Sequence, residues 1–210
     1  TGSTLRILID SDNDPTTGYY FPGLGADNLV EIYGEDTGTV SSSLLFVFDG
    51  TRDKDDWNGF YSLTNLQANT TSSAGASTGL ELQIPNFDLG LDAGKGLKYL
   101  VTLTDAAGNY DSTNIIDLSR NEYLFDEAVK EKRLEKNSAT TGVGGGISID
   151  GKFEDWLNNA NIKSDSNDLF NSNVDILKYA NLTDSNGDTF YYINVEETIL
   201  GGTNFTDKSA

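Results

Sequence analysis

The sequence contains no histidine, no cysteine and no methionine. Without His or Cys, the usual ligands of zinc, haem and iron–sulfur clusters are missing. Without His, neither a Ser-His-Asp triad nor a Cys-His pair can be assembled. Disulfides are excluded, which leaves the redox compartment open. Positive charge is scarce: 14 Lys+Arg stand against 33 Asp+Glu, a net charge of -19. That balance repels nucleic acid and anionic lipid, and both are set aside as partners. No apolar run reaches the roughly 18 residues of a membrane span, and no signal peptide opens the chain. The first residue is Thr1, as expected of a processed product, a trimmed chain or a fragment.

What remains for chemistry is carboxylates, hydroxyls and amides, a set that suits hard cations such as calcium. The 210 residues fit one large β domain or two small ones, and a hydrophobic fraction of 37% is enough for a core. The run LRILI at 5–9 reads as a strand, as does LVEIY at 29–33. LLFVFD at 44–49 is apolar on both faces and reads as a central strand. LELQI at 80–84 alternates, with Leu80, Leu82 and Ile84 on one face and Glu81 and Gln83 on the other. LKYLVTL at 97–103 alternates in the same way. Short strands separated by Gly, Asn and Asp turns predict an all-β fold, an antiparallel sandwich of jelly-roll type.

One segment departs from this pattern. Ser119 lies three residues before Glu122, the spacing of a capping box, and Leu124, Phe125, Ala128 and Val129 form an apolar stripe. Basic residues between Lys130 and Lys136 complement the C-terminal end of a helix dipole. The expected organisation is a β-sandwich main part over 1–118, a helix over 119–136 and a flexible linker over 137–146. A β segment over 147–210 then completes a sandwich in cis or in trans, because an all-β piece of that size without disulfides rarely stands alone.

The densest chemistry lies in ILIDSDNDPTTGYY, where Asp10, Asp12 and Asp14 occupy alternate positions. Three carboxylates on one turn repel each other unless a cation sits among them. The spacing opens like an EF-hand loop, but the sixth position is Pro15 and the twelfth is Phe21, so it is not one. With Asp27 folded nearby, the expected metal set is Asp10, Asp12, Asp14 and Asp27, and the expected ion is calcium. The alternative is a solvated turn held by Asx-type hydrogen bonds. Asp49, Asp53, Asp55 and Asp56 form a second acidic loop, which Arg52 and Lys54 neutralise. Asp184 and Asp188 flank a hairpin turn. Trp57 and Trp156 are expected in the core, while Tyr19 and Tyr20 are candidates for exposed aromatics. Asn69, Asn181 and Asn204 stand in glycosylation sequons. No carboxylate pair is singled out as acid and nucleophile, so the chain is not read as an enzyme.

IDGKFEDW, followed by VDIL and DTFYYINVEE, resembles the opening half of family-9 carbohydrate-binding-module-like, DOMON-type β-sandwich domains. LRILIDSDNDPTTGY, GADNLVEIYG, SSSLLFVFDG, DDWNG and LELQIP resemble the closing half, in versions common in archaeal or bacterial surface proteins. The family's halves stand here in reversed order. The resemblance implies either a circular permutant or a slice across two tandem domains. In the permutant the two chain ends lie together. In the slice, TLRILID or DTFYYINVEET adds to a sheet edge of the next molecule, giving self-association by strand exchange and filaments. The expected function is a non-catalytic, extracellular or cell-surface structural module stabilised by calcium. A carbohydrate-binding module with a glycan partner is the alternative.

Overall fold

Runs of alternating or continuous aliphatic residues pair because each must bury an apolar face and satisfy its backbone at once. The computed structural model describes residues 2–35, 37–70, 78–90, 96–118, 147–159, 162–183 and 188–202. The helix read over 119–136, the linker over 137–146 and Asp184 lie outside these residues.

The first part of the chain gives β1 (Thr4–Asp10), β2 (Tyr19–Phe21), β3 (Leu24–Ala26), β4 (Asn28–Gly34) and β5 (Val40–Phe48). It continues with β6 (Phe60–Asn65), β7 (Gln67–Thr70), β8 (Gly79–Ile84), β9 (Leu97–Thr104), β10 (Tyr110–Ser112) and β11 (Ile116–Leu118). The last part gives a short helix, Glu154–Asn159, then β12 (Lys163–Ser164), β13 (Ile176–Thr183) and β14 (Thr189–Val195). One sheet runs β10-β9-β1-β4-β5-β6, with β11 also paired to β9. The second runs β12-β13-β14-β8-β7, and β2 and β3 form a separate hairpin. The strand pairings are antiparallel. The architecture is the all-β sandwich that the alternation predicts.

The main core lies between the two sheets. Leu5, Ile7 and Ile9 of β1, Val30 and Ile32 of β4 and Val101 and Leu103 of β9 face Leu80, Leu82 and Ile84 of β8 and Ile193 and Val195 of β14. Tyr99 and Tyr191 meet edge to face across this core, with ring centroids 5.1 Å apart. Two smaller clusters lie on the outer faces. The β2–β3 hairpin covers Leu8, Leu29 and Leu100 with its own Leu24 and Ala26. The segment 147–159 covers Ala180, Phe190 and Tyr192 with Ile147 and Trp156.

β8, from the first part of the chain, pairs with β14, from the last, from Ile84↔Thr189 to Gly79↔Asn194. The second sheet is thus built from both segments of one chain. The strands named for exchange are engaged on both sides: β1 lies between β9 and β4, and β14 between β13 and β8. Neither offers a free edge to another molecule in this arrangement. The two extremities of the described chain also meet. The Ser3 N–H donates to Leu200 O at 2.9 Å, and the Ser3 hydroxyl donates to Gly201 O at 2.5 Å.

Candidate metal centre

The site forms where β1 ends and β4 begins. These strands pair in register as far as Ile9↔Asn28, and the Asp27 N–H donates to Ile9 O at 2.9 Å. Asp10 and Asp27 are therefore brought to the same end of the sheet by strand pairing. The chain between them turns back at Asn13, which adopts a left-handed φ of 59°, a conformation that Asn tolerates better than most residues.

The carboxylates organise this turn. Asp27 Oδ2 accepts from the Ser11 N–H at 2.9 Å, the Ser11 hydroxyl at 3.1 Å and the Asp12 N–H at 3.3 Å. Asp12 Oδ1 accepts from the Asp14 N–H at 2.8 Å, and the Thr17 hydroxyl donates to Asp12 Oδ2 at 3.0 Å. Asp10 Oδ1 accepts from the Asp14 N–H at 3.1 Å. The Lys54 ammonium donates to Thr16 O, and the Tyr20 N–H donates to Lys54 O at 2.7 Å. The turn is thereby tied to the loop that follows β5.

Asp10, Asp12 and Asp27 present carboxylate oxygens within 4.8 Å of one another. Asp14 is not part of this group. Its Oδ1 accepts from the Thr16 N–H at 2.9 Å and the Thr16 hydroxyl at 2.7 Å, and these bonds hold its carboxyl below the usual carboxylate range. Asp14 caps the turn that the other three line.

Asp10 is the unusual member. It is fully buried, and its Oδ2 has no hydrogen-bond partner. Burial pushes its carboxyl up to about 6, and the neighbouring Asp27 and Asp12 charges push the same way, against the approach of the Gly25 N–H. Burial also raises Asp27, with the Asp12 charge adding to it. A buried carboxylate oxygen without a donor, facing two further carboxylates, is an expensive arrangement unless a proton or a cation occupies it. Three carboxylates and the carbonyls of a tight turn are the oxygen donors that hard divalent ions take.

Gly25 forms the floor beneath the turn. A Cβ placed there would lie 2.3 Å from Thr17 O and 2.7 Å from Asp14 O, both backbone atoms. Gly25→Ala therefore displaces the turn without touching a carboxylate. The expected result is a loss of stability of roughly 1–3 kcal/mol, the usual cost of overpacking, together with loss of any response to divalent ions. Melting of the variant with and without calcium checks this.

A second group, Asp111, Asp168 and Asp175, has carboxylate oxygens within the same 4.8 Å. It joins β10 to the segment before β13, and Asp111 Oδ2 accepts from the Ile176 N–H at 2.8 Å. Burial raises Asp111 to about 6, and the charges of Asp165 and Asp168 add to this. Two acidic clusters among the described residues thus have the geometry to hold a metal ion.

Asp49 and Asp56, in the second acidic loop, cap turns. Asp49 Oδ1 accepts from the Thr51 N–H at 2.9 Å and the Thr51 hydroxyl at 2.7 Å. Asp56 pairs with Arg52 at 3.3 Å and accepts from the Asn58 N–H, while Asp188 accepts from the Gln83 amide at 2.8 Å. Asn181 Oδ1 accepts from the Tyr99 hydroxyl at 3.1 Å.

Of the two tryptophans, Trp156 is fully buried as expected, but Trp57 is 40% exposed. Trp57 packs edge-on against Tyr19 and Phe60, with the Arg6 guanidinium 5.7 Å from its ring centroid. It lies on the outer face of the first sheet, where the β2–β3 hairpin covers only part of the surface. Tyr20 is 58% exposed beside the acidic turn. Compared with family models, with curated proteins and with solved structures, the chain matches none of them.

Proposed function

We propose that the protein is a non-catalytic structural β-sandwich of a cell surface, stabilised by a calcium ion held between Asp10, Asp12 and Asp27. The observation that carries this reading is the fully buried Asp10, whose Oδ2 lacks a donor and faces two other carboxylates. Calcium binding the native turn but not the unfolded chain would stabilise the fold by mass action. The hard-oxygen donor set favours calcium over softer metals. A net charge of -19 and the absence of Cys suit an exposed, salt-tolerant module that uses an ion where another protein would use a disulfide. The contact between Ser3 and Leu200–Gly201 fits one sandwich completed in cis, as in the permuted arrangement.

The test is thermal melting in calcium and in chelator, for the wild type and Asp10→Asn. At 100 times its Kd, calcium adds about 2.7 kcal/mol, or roughly 5–10 °C for a chain of this size. Asp10→Asn keeps the Oδ1 acceptor for Asp14 and turns Oδ2 into an amide that attracts Asp12 and Asp27. In chelator it should melt at or above the wild type, and calcium should no longer move it. A wild type indifferent to calcium, or a variant that responds equally, overturns the site.

A carbohydrate-binding module is the second reading, favoured by the exposed rings of Tyr20 and Trp57. Calorimetric titration with soluble polysaccharides separates the two readings, because only a module of this kind gives binding that Trp57→Ala removes.

A further inference from the structure

On the outer face of the second sheet, Glu81 of β8 is fully buried. Its strand neighbours Leu80 and Leu82 point into the core, so alternation sends Glu81 outward, where solvent would be expected. The segment 147–156 lies over it instead. Glu81 Oε1 accepts from the Gly151 N–H at 2.5 Å, and Oε2 accepts from the Trp156 indole N–H at 3.2 Å. One carboxylate therefore holds both ends of the Ile-Asp-Gly…Asp-Trp motif. Around it, Trp156 stacks on Tyr192 at 5.6 Å and Phe153 lies 5.1 Å from the same ring. Phe153 also fills the space above Gly79, where a Cβ would lie 2.4 Å from its ring.

We propose that Glu81 is a proton-operated clasp, whose charge sets how tightly residues 147–156 close over the second sheet. When the segment lifts, Glu81 meets water and the apolar cluster of Ile147, Trp156, Phe190 and Tyr192 is uncovered. The groups that face the clasp are few. From the covering segment comes the Asp155 carboxylate, whereas Asp150 approaches only through its backbone and its side chain pairs with Lys152 at 3.7 Å. From β14 comes Tyr192, itself kept protonated by burial. Among the described residues, no ion pair includes Glu81. Burial accordingly raises Glu81 to about 7, the Asp155 charge adds to this, and the Gly151 and Trp156 donors offset only part of it.

The sign follows from linkage. The closed segment holds the proton more tightly than the open one, in which Glu81 titrates near the ordinary 4.5. Closure is therefore strongest below 4.5, weakens as pH rises through this window and levels off above about 7.

Amide hydrogen exchange at Gly151 and Trp156, corrected for the intrinsic chemical rate, reads this directly. Opening should increase about tenfold per pH unit between roughly pH 5 and 7, and then reach a plateau. In Glu81→Gln the slope should vanish while the baseline opening rises, because the amide presents a donor to one of the two N–H groups. Asp155 is intact in that variant, so a slope that persists would assign the effect to Asp155 and overturn the proposal. A flat profile in the wild type also overturns it. If Glu81→Gln does not fold, titration of the Glu81 carboxyl carbon by NMR in the wild type decides: a midpoint near 7 supports the clasp, and an ordinary carboxylate midpoint refutes it. These readouts do not depend on the calcium site.

Discussion

Expressed as two separate chains, residues 1–118 and 147–210 are expected to stay unfolded alone and to form the sandwich when mixed. The main core draws on both, with Leu5, Ile7, Val30 and Leu82 from one and Ile176, Tyr191, Ile193, Val195 and Ile199 from the other. Withdrawing the second piece uncovers the inner face of the first sheet and strips β14 from β8. Each large aliphatic or aromatic side chain left in water forfeits about 1.5–3 kcal/mol. Five such losses come to about 7–15 kcal/mol, the same size as the roughly 5–15 kcal/mol that holds a whole domain together. Circular dichroism of the separate pieces, followed by gel filtration of the mixture, gives the answer. Two independently folded pieces that ignore each other would sink this account of the fold.

Trp156→Ala should be the most damaging single substitution considered for either tryptophan. The indole is fully buried, and its loss removes about 3–5 kcal/mol of packing. It also leaves Glu81 Oε2 without its donor inside a covered site, adding about 1–3 kcal/mol. The melting temperature should fall by roughly 10–30 °C. Trp57→Ala removes a ring that is 40% exposed and should cost less than half as much. Chemical denaturation of the two variants side by side checks the ratio, and equal losses would contradict the different burial of the two rings.

The long strands were legible because each alternates or runs apolar for a full sheet width, whereas the two- and three-residue strands such as β2, β3 and β12 are too short to show a period. Leu80, Leu82 and Ile84 read as one face in the sequence, and all three are fully buried in the core. The continuous apolarity of β5 was legible too, and the hairpin explains it: Leu45 faces the core while Phe46 packs under β2–β3. Glu81 was the blind spot. Alternation assigns it to an outer face, but no local pattern shows that a segment 70 residues later will cover that face. Asp10, Asp12 and Asp27 were visible because their density is local or one hairpin apart. Asp14 shares that density, yet its carboxylate turns to Thr16, a choice made by backbone geometry and not by spacing. Asp111, Asp168 and Asp175 could not be grouped, since only the docking of the last segment onto β10 brings them together.

The contact of Ser3 with Leu200 and Gly201 has a mechanical consequence. The two ends of the described chain meet at a single spot on the sandwich. A unit held by these ends hangs from its anchor as a pendant and adds almost nothing to the contour length between its points of attachment. Tension applied across these residues does not shear the long β1–β4 and β1–β9 ladders all at once. It opens the Ser3 contacts first and then draws β1 away bond by bond, like a zipper. The acidic turn at Asp10 lies at the far end of that strand, so it is the last part of β1 to feel the load.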